Sequence, residues 1–292
     1  MSNEENITDF LGDWKNFFLQ GLVGMGLVGY NTLKFFLKKI NSEPIVDYAE
    51  FFPQVAVIEE GKIENQCPRI YSADIGKERR IYGVIGPQPR SDELSASFLG
   101  AFLRDFKKIH EESKIDLFIS FGAFITDVID VTGTAGGFGA AADRLLDHEL
   151  TRSRGLYIAT CGGLSYDEFA LSVQHPDDKI VKEPQGFISG LNGVLPALIG
   201  ERFKIPTVTI MVESASAEKF RFNSAVAQLL GLLASRKGLE FLDHYFGLDM
   251  DLRSLLTPII DELLPAARQD LISSMERGEP ERREDSSDKM YT

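Results

Sequence analysis

Three features of this sequence have residue types and spacings that could do chemistry. The first is Gly24-Met25-Gly26-Leu27-Val28-Gly29, a G-x-G-x-x-G pattern standing after an apolar run and before a helical one. Glycines so placed let the backbone approach a dinucleotide pyrophosphate and aim helix N–H groups at it. The fingerprint also needs an acidic residue about 20 positions on, at the end of the second strand, to hold the ribose. Asp47 and Glu50 lie near that distance. The competing reading is that the glycines only permit a tight turn and close packing of helix on sheet. A further glycine precedes the motif at Gly21.

The second feature is Cys161, which follows a strand pattern and precedes Gly162 and Gly163, where a nucleophile elbow would stand. A thiolate there needs a base, and His148 and His175 are the candidates. No Asn or Asp completes a triad by spacing, and buried packing is the commoner fate of a free cysteine. The four histidines, His110, His148, His175 and His244, are scattered and share no ligand spacing with each other or with a cysteine. No metal and no cofactor is therefore expected. The acidic residues fall mostly on helix faces, where solvation is the default.

The third feature is the C-terminus. The run from Glu276 to Lys289 is charged, holds Gly278, Pro280 and a Ser-Ser pair, and has no apolar residue. Such a composition predicts disorder. It ends in Met290-Tyr291-Thr292. There the tyrosine ring can fill a pocket, the methionine can pack beside it, and the free α-carboxylate can pair with a lysine or a backbone nest. A flexible run of about 17 residues averages roughly 20–25 Å end to end, enough to carry such a hook off the body and into a cleft.

The elements that must position these features follow from periodicity. Apolar runs predict strands at Phe17–Val23, Ile45–Tyr48, Gln54–Ile58, Ile63–Ile70, Arg80–Ile85, Ile115–Phe121, Gly155–Thr160 and Thr207–Val212. Gly61 suits a hairpin turn, and Pro68 marks an edge. Helices are predicted over Leu27–Lys39, over a stretch capped by Ser91 or Asp92 with Leu94, Phe98, Phe102, Phe106 and Ile109 on one face, over Ala140–Leu150 and over Leu195–Phe203. Two more are predicted over Phe220–Tyr245 and over Asp249–Met275, the latter kinked or split at Pro258 and Pro265. Gly133–Gly139 reads as a glycine-rich loop and Asp177-Asp178-Lys179 as a surface turn. Strands alternating with helices imply an α/β fold, a three-layer α/β/α arrangement with a largely parallel sheet, C-terminal helices and a disordered tail. The expected division is 1–15 disordered, 16–247 the α/β domain, 248–275 a helical extension and 276–292 the tail.

Composition excludes other classes. The 292 residues are 43% hydrophobic, enough for one large domain. The formal net charge of -13 disfavours nucleic acid and anionic lipid as partners. Two cysteines, Cys67 and Cys161, suit a reduced, cytoplasmic protein. The longest apolar stretch, Phe17–Tyr30, contains Gln20 and is too short and glycine-rich to span a membrane.

Several blocks taken in order resemble the proteasome assembly chaperone family, of the second-chaperone type with its archaeal relatives. They are Gly24–Gly29 with its helix, the strand ending Gly86-Pro87-Gln88-Pro89, the strand leading to Cys161-Gly162-Gly163, the block Gly186–Leu195, and the strand ending Met211-Val212-Glu213 before a long helix. The resemblance runs from about Phe17 to Phe246. It implies a non-catalytic chaperone, adaptor or activator that binds the α-ring of the proteasome core particle. Some archaeal members end in a hydrophobic-tyrosine-any motif, which Met290, Tyr291 and Thr292 match position for position. Those residues would enter pockets between α subunits, and the body would form a homo-oligomer. The glycine block then counts as fold geometry. The alternative is an enzyme acting on a nucleotide or other small phosphate compound at the Gly24–Gly29 loop.

Overall fold

A strand apolar at nearly every position belongs at the centre of a sheet covered on both faces. β1 (Asn16–Leu22), with the sequence NFFLQGL, is such a strand. In the computed structural model it pairs in parallel with β6 (Arg79–Gly86) on one side and with β7 (Leu117–Val128) on the other. The structure describes residues 14–24, 27–52, 56–59, 62–65, 67–89, 91–128, 137–173, 180–181, 190–216 and 224–277.

The sheet has eight strands in the order β2-β5-β6-β1-β7-β10-β8-β9. The remaining members are β2 (Glu43–Asp47), β5 (Arg69–Ile75), β8 (Leu156–Cys161), β9 (Ile180–Val181) and β10 (Thr207–Ser216). The central run β6-β1-β7-β10 is parallel. The pairings β2-β5, β5-β6 and β10-β8 are antiparallel. β3 (Ala56–Glu59) and β4 (Lys62–Asn65) form a separate hairpin. The single strand expected over Ile63–Ile70 is thus two. Pro68 lies between them and has no N–H for a ladder, while its carbonyl accepts from Tyr48 N at 3.1 Å. Gly61 lies outside the described residues.

Helices cover both faces, as the α/β reading requires. On one face lie α1 (Val28–Lys39) and the long α6 (Ala225–Phe246), whose Leu33, Phe36, Leu239 and Leu242 pack on Phe17, Leu19 and Ile119. On the other lies α2 (Asp92–Ser113), whose Phe98, Phe102 and Phe106 recur every fourth residue. Phe106 and Phe102 meet Phe18 edge-on at 5.0 and 5.7 Å, and Phe118 stacks on Phe18 at 5.5 Å. Burying each such ring contributes about 1.5–3 kcal/mol. Ser91 caps α2, its hydroxyl accepting from Leu94 N at 3.3 Å. α3 (Phe138–Thr151), α4 (Tyr166–Val173) and α5 (Leu191–Leu198) complete the connections, and a π-helical turn, Ile199–Phe203, continues α5. Neither α4 nor β9 stood out in the sequence.

α7 (Leu252–Arg277) runs unbroken through Pro258 and Pro265. Both prolines are on the exposed face, so the carbonyls they leave unbonded face water. Its buried face, Ala267, Leu271 and Met275, packs against α3 and α6. Among the described residues no helix is long and apolar enough to cross a membrane.

Candidate functional site

In parallel sheets ligands gather at the carboxyl ends of the strands, where loops lead into helix N-termini. Here that edge is where β1, β6, β7 and β10 end. At β1 the glycine block makes backbone contact. A Cβ at Gly21 would stand 2.3 Å from Gly29 O, and one at Gly29 would stand 2.3 Å from Phe121 O. The helix can sit on the sheet only because both positions are bare. Met25 and Gly26 lie outside the described residues.

The space above β1 is taken by the start of α5. A Cβ at Gly24 would lie 2.5 Å from Asn192 Nδ2, which donates to Leu22 O at 3.3 Å. Gln20, fully buried, donates through Nε2 to Leu191 O (3.1 Å) and to Asn192 Oδ1 (3.2 Å). Gln88, in the block after β6, donates to Val23 O at 2.7 Å and accepts from Leu191 N at 3.3 Å. Ser120 on β7 donates to Asn192 O at 3.4 Å. A helix is therefore stapled across the crevice by side chains of β1, of β7 and of the block after β6. Asp47 and Glu50 are not beside this loop. β2 is the sheet's edge strand, with β5 and β6 between it and β1. Asp47 is engaged instead with Arg69 Nε at 2.9 Å, Cys67 Sγ at 3.2 Å and Ala49 N at 2.7 Å. The ribose-binding carboxylate of a dinucleotide site is thus not supplied by Asp47.

Cys161 ends β8, and β8 runs against β10, so Cys161 sits beside Thr207 at the opposite, amino edge of the central strands. Its Sγ donates to Pro196 O at 3.5 Å and packs where a Cβ at Gly200 would be 2.5 Å away. Burial pushes its pKa up. His148 lies beyond the other end of β8, a strand of 6 residues or about 20 Å, beside Glu149 at 3.3 Å. Cys161 is therefore a packed thiol remote from His148, in keeping with buried packing rather than a nucleophile elbow. His175 lies outside the described residues. Among the described residues no group of three His, Cys, Asp or Glu could hold a metal ion.

A charge network absent from the sequence reading ties α3 to β8 and β10. Buried Glu149 meets Arg154 Nη2 at 2.8 Å and Arg152 Nη1 at 3.4 Å. Arg152 also pairs with Glu213, whose second oxygen accepts from Gly155 N at 2.9 Å. Burial lowers the Arg154 pKa. The two glutamates are bridged by arginine and joined to backbone, an arrangement that fixes elements in place.

Among the described residues β8 pairs with β10 through Thr207–Val212, with one more backbone bond from Glu213 N to Gly155 O, and β1 pairs with β7 through Leu117–Ser120, so that from Ser214 on β10 is laddered to β7 alone. The two strands overrun the sheet at its carboxyl edge. Ala215 on this overhang joins Ala141, Val226, Leu229, Leu271 and Met275 in a helical cluster. Ala225 N donates to Asp270 Oδ2 at 2.9 Å, and Arg268 pairs with Asp143 at 2.6 Å. The end of α7, where residues 278–292 begin, is thus fixed at the overhang. Met290, Tyr291 and Thr292 lie outside the described residues. Gln20, Gln88, Ser120 and Asn192 were not singled out from sequence, although a lone Gln20 inside an apolar strand was the available signal.

The model of the PAC2 family matches residues 18–257. The solved structure of PbaB from Pyrococcus furiosus, an archaeal proteasome activator, is similar over 88% of this chain and 93% of its own, with a TM-score of 0.64 at 16% identity. PbaA of the same organism, an archaeal homologue of proteasome-assembly chaperone, is similar over 91% and 92%, with a TM-score of 0.59 at 18% identity. A proteasome-assembly chaperone homologue of Mycobacterium tuberculosis is similar over 91% and 96%, with a TM-score of 0.51 at 14% identity. At these identities the likeness concerns the fold. No curated protein matches by sequence.

Proposed function

The chain belongs to the PAC2 family, and from that premise we propose that it is a non-catalytic proteasome assembly chaperone or proteasome-binding adaptor or activator. It docks on the α-ring of the core particle through Met290, Tyr291 and Thr292. The observation that carries this reading is the C-terminal sequence itself, a hydrophobic residue, a tyrosine and a last residue following the charged run from Glu276 to Lys289. The ring of Tyr291 fills a pocket between adjacent α subunits, and the terminal carboxylate meets a cation there. Proteins sharing the fold include an archaeal proteasome activator and two proteasome-assembly chaperone homologues, which supports the choice of partner. The body forms a homo-oligomer in the cytoplasm, and its several tails engage one ring at once. Linked tails raise affinity over a single tail by about 10²–10⁴-fold. No cofactor, nucleic acid or membrane takes part.

Binding to purified core particles by the full chain and by a chain lacking residues 290–292 tests this. The full chain is expected to bind and the shortened one to lose binding. No binding by either removes the proteasome from consideration.

A further inference from the structure

The tail has a fixed root, and its length limits which part of the body can lie near whatever it docks to. α7 is held to the body up to Met275, which is 7% exposed, and ends at Arg277 beside the overhang of β7 and β10. Tyr291 follows Arg277 by 14 residues. Fourteen residues cannot span more than about 50 Å, and a flexible chain of that length would average about 20 Å. The other end of α7, a helix of 26 residues, is about 39 Å from Arg277. That end follows closely on α6, whose last residues Tyr245 and Phe246 meet Phe17 edge-on at 6.0 and 5.1 Å at the amino edge of the sheet. A docked tail therefore brings the overhang end toward its partner and leaves the amino edge facing away.

The overhang end also carries one of the few large exposed apolar side chains among the described residues. Phe138, the first residue of α3, is 42% exposed. It stands next to Gly139, whose Cβ would lie 3.2 Å from Arg268 Nη2 on the last turns of α7. An aromatic ring left in water at the root of a docking segment is the kind of side chain that becomes a binding anchor.

We propose that the overhang end, with Phe138 at its tip, is a second contact surface that meets the outer face of the same ring the tail enters. This rests on the tail-docking reading above. The contact fixes the body's orientation, so that the carboxyl edge of the sheet faces the ring and the amino edge points to solvent.

Hydrogen exchange of the full chain with and without core particles reads the orientation directly. Slowed exchange over 138–146 and 264–277, with no change over 74–80 and 112–116, is the expected result. Slowing at the latter segments instead, or nowhere on the body, overturns the proposal. Phe138→Glu supplies a second readout, because the residue is exposed at a helix N-terminus where an acidic side chain is tolerated. It should weaken binding by about fivefold or more. Wild-type affinity in that variant, with residues 290–292 still required, overturns the second contact and leaves the tail reading standing. If the full chain does not bind, or binds equally well without residues 290–292, both readings fall together.

Discussion

Ser120 Oγ donates to the backbone carbonyl of Asn192 across 3.4 Å, and this carbonyl is the one that Pro196, four residues on, cannot reach with an N–H. A hydroxyl on the central strand β7 thus satisfies the group that an internal proline leaves bare in α5. Cys161 Sγ donates to Pro196 O at 3.5 Å, a carbonyl that also accepts from Ile199 N where the helix passes into its π turn. The Ser120 hydroxyl lets a proline-bearing helix lie buried on a sheet. Ser120→Ala should cost about 1–2 kcal/mol by orphaning a buried carbonyl. Urea denaturation measures it, and an unchanged midpoint would show that the carbonyl finds another partner.

Gly29 and Gly100 should respond oppositely to alanine. A Cβ at Gly29 would be 2.3 Å from a backbone oxygen of Phe121, so Gly29→Ala should destabilise by at least about 2 kcal/mol. At Gly100, within α2, the nearest atom is Arg104 Nη1 at 3.9 Å. Gly100→Ala should stabilise by about 0.5–1 kcal/mol through helix propensity. Thermal unfolding of the two variants side by side checks both signs.

The Glu149–Arg154 pair is buried on both sides, with side chains 5% and 6% exposed. Glu149→Ala strands the Arg154 cation and should cost about 3–5 kcal/mol. Replacing both partners, Glu149→Leu with Arg154→Met, should recover much of that loss. A double variant no better than the single one would mean that Arg152 and Glu213 depend on the pair.

The thiols should be slow to alkylate in the folded protein. Burial raises the pKa of Cys161, and burial followed by its hydrogen bond to Asp47 raises that of Cys67 to about 11. Raised thiol values mean the folded state holds these protons more tightly than the unfolded one. Their contribution to stability is complete below the unfolded value of about 8.5 and fades as pH rises through the folded values. Iodoacetamide at pH 7.5 should label neither thiol rapidly until denaturant is added. Fast native labelling of Cys161 would return it to consideration as a nucleophile.

Tyr291→Ala should abolish ring binding as completely as removing residues 290–292, and one residue added after Thr292 should do so too by displacing the carboxylate. Native electrophoresis of mixtures with core particles reads both. Retained binding by the extended chain would show that the carboxylate is not part of the contact.

The fold was legible wherever a local pattern carried it. Phe98, Phe102 and Phe106 at four-residue spacing predict α2 and its buried face, and the glycines around Gly24 predict a tight strand-to-helix passage. What escaped is not local. The reversal of β8 relative to β10 leaves no mark on either strand's composition, yet it moves Cys161 to the far edge of the sheet from the ligand end. Likewise β7 and β10 continue past their apolar runs, since Glu213 and Ser214 interrupt the pattern while the ladder goes on. Pro258 and Pro265 predict a kink or a split in α7; the helix is not split, because both lie on its water-facing side, where a lost hydrogen bond is made up by solvent. Gln20 reads as an interruption in an apolar strand, and only the position of α5 gives it a role.

The described chain enters at the amino edge with β1 and leaves past the overhang with α7, so its two ends point to opposite poles. Symmetry then has a direct geometric consequence. A cyclic oligomer whose axis runs along α7 gathers the Arg277 ends of all its copies at a single pole, and on the docking proposed above would cap one ring. A dihedral oligomer divides them between two poles and can bridge a pair of rings.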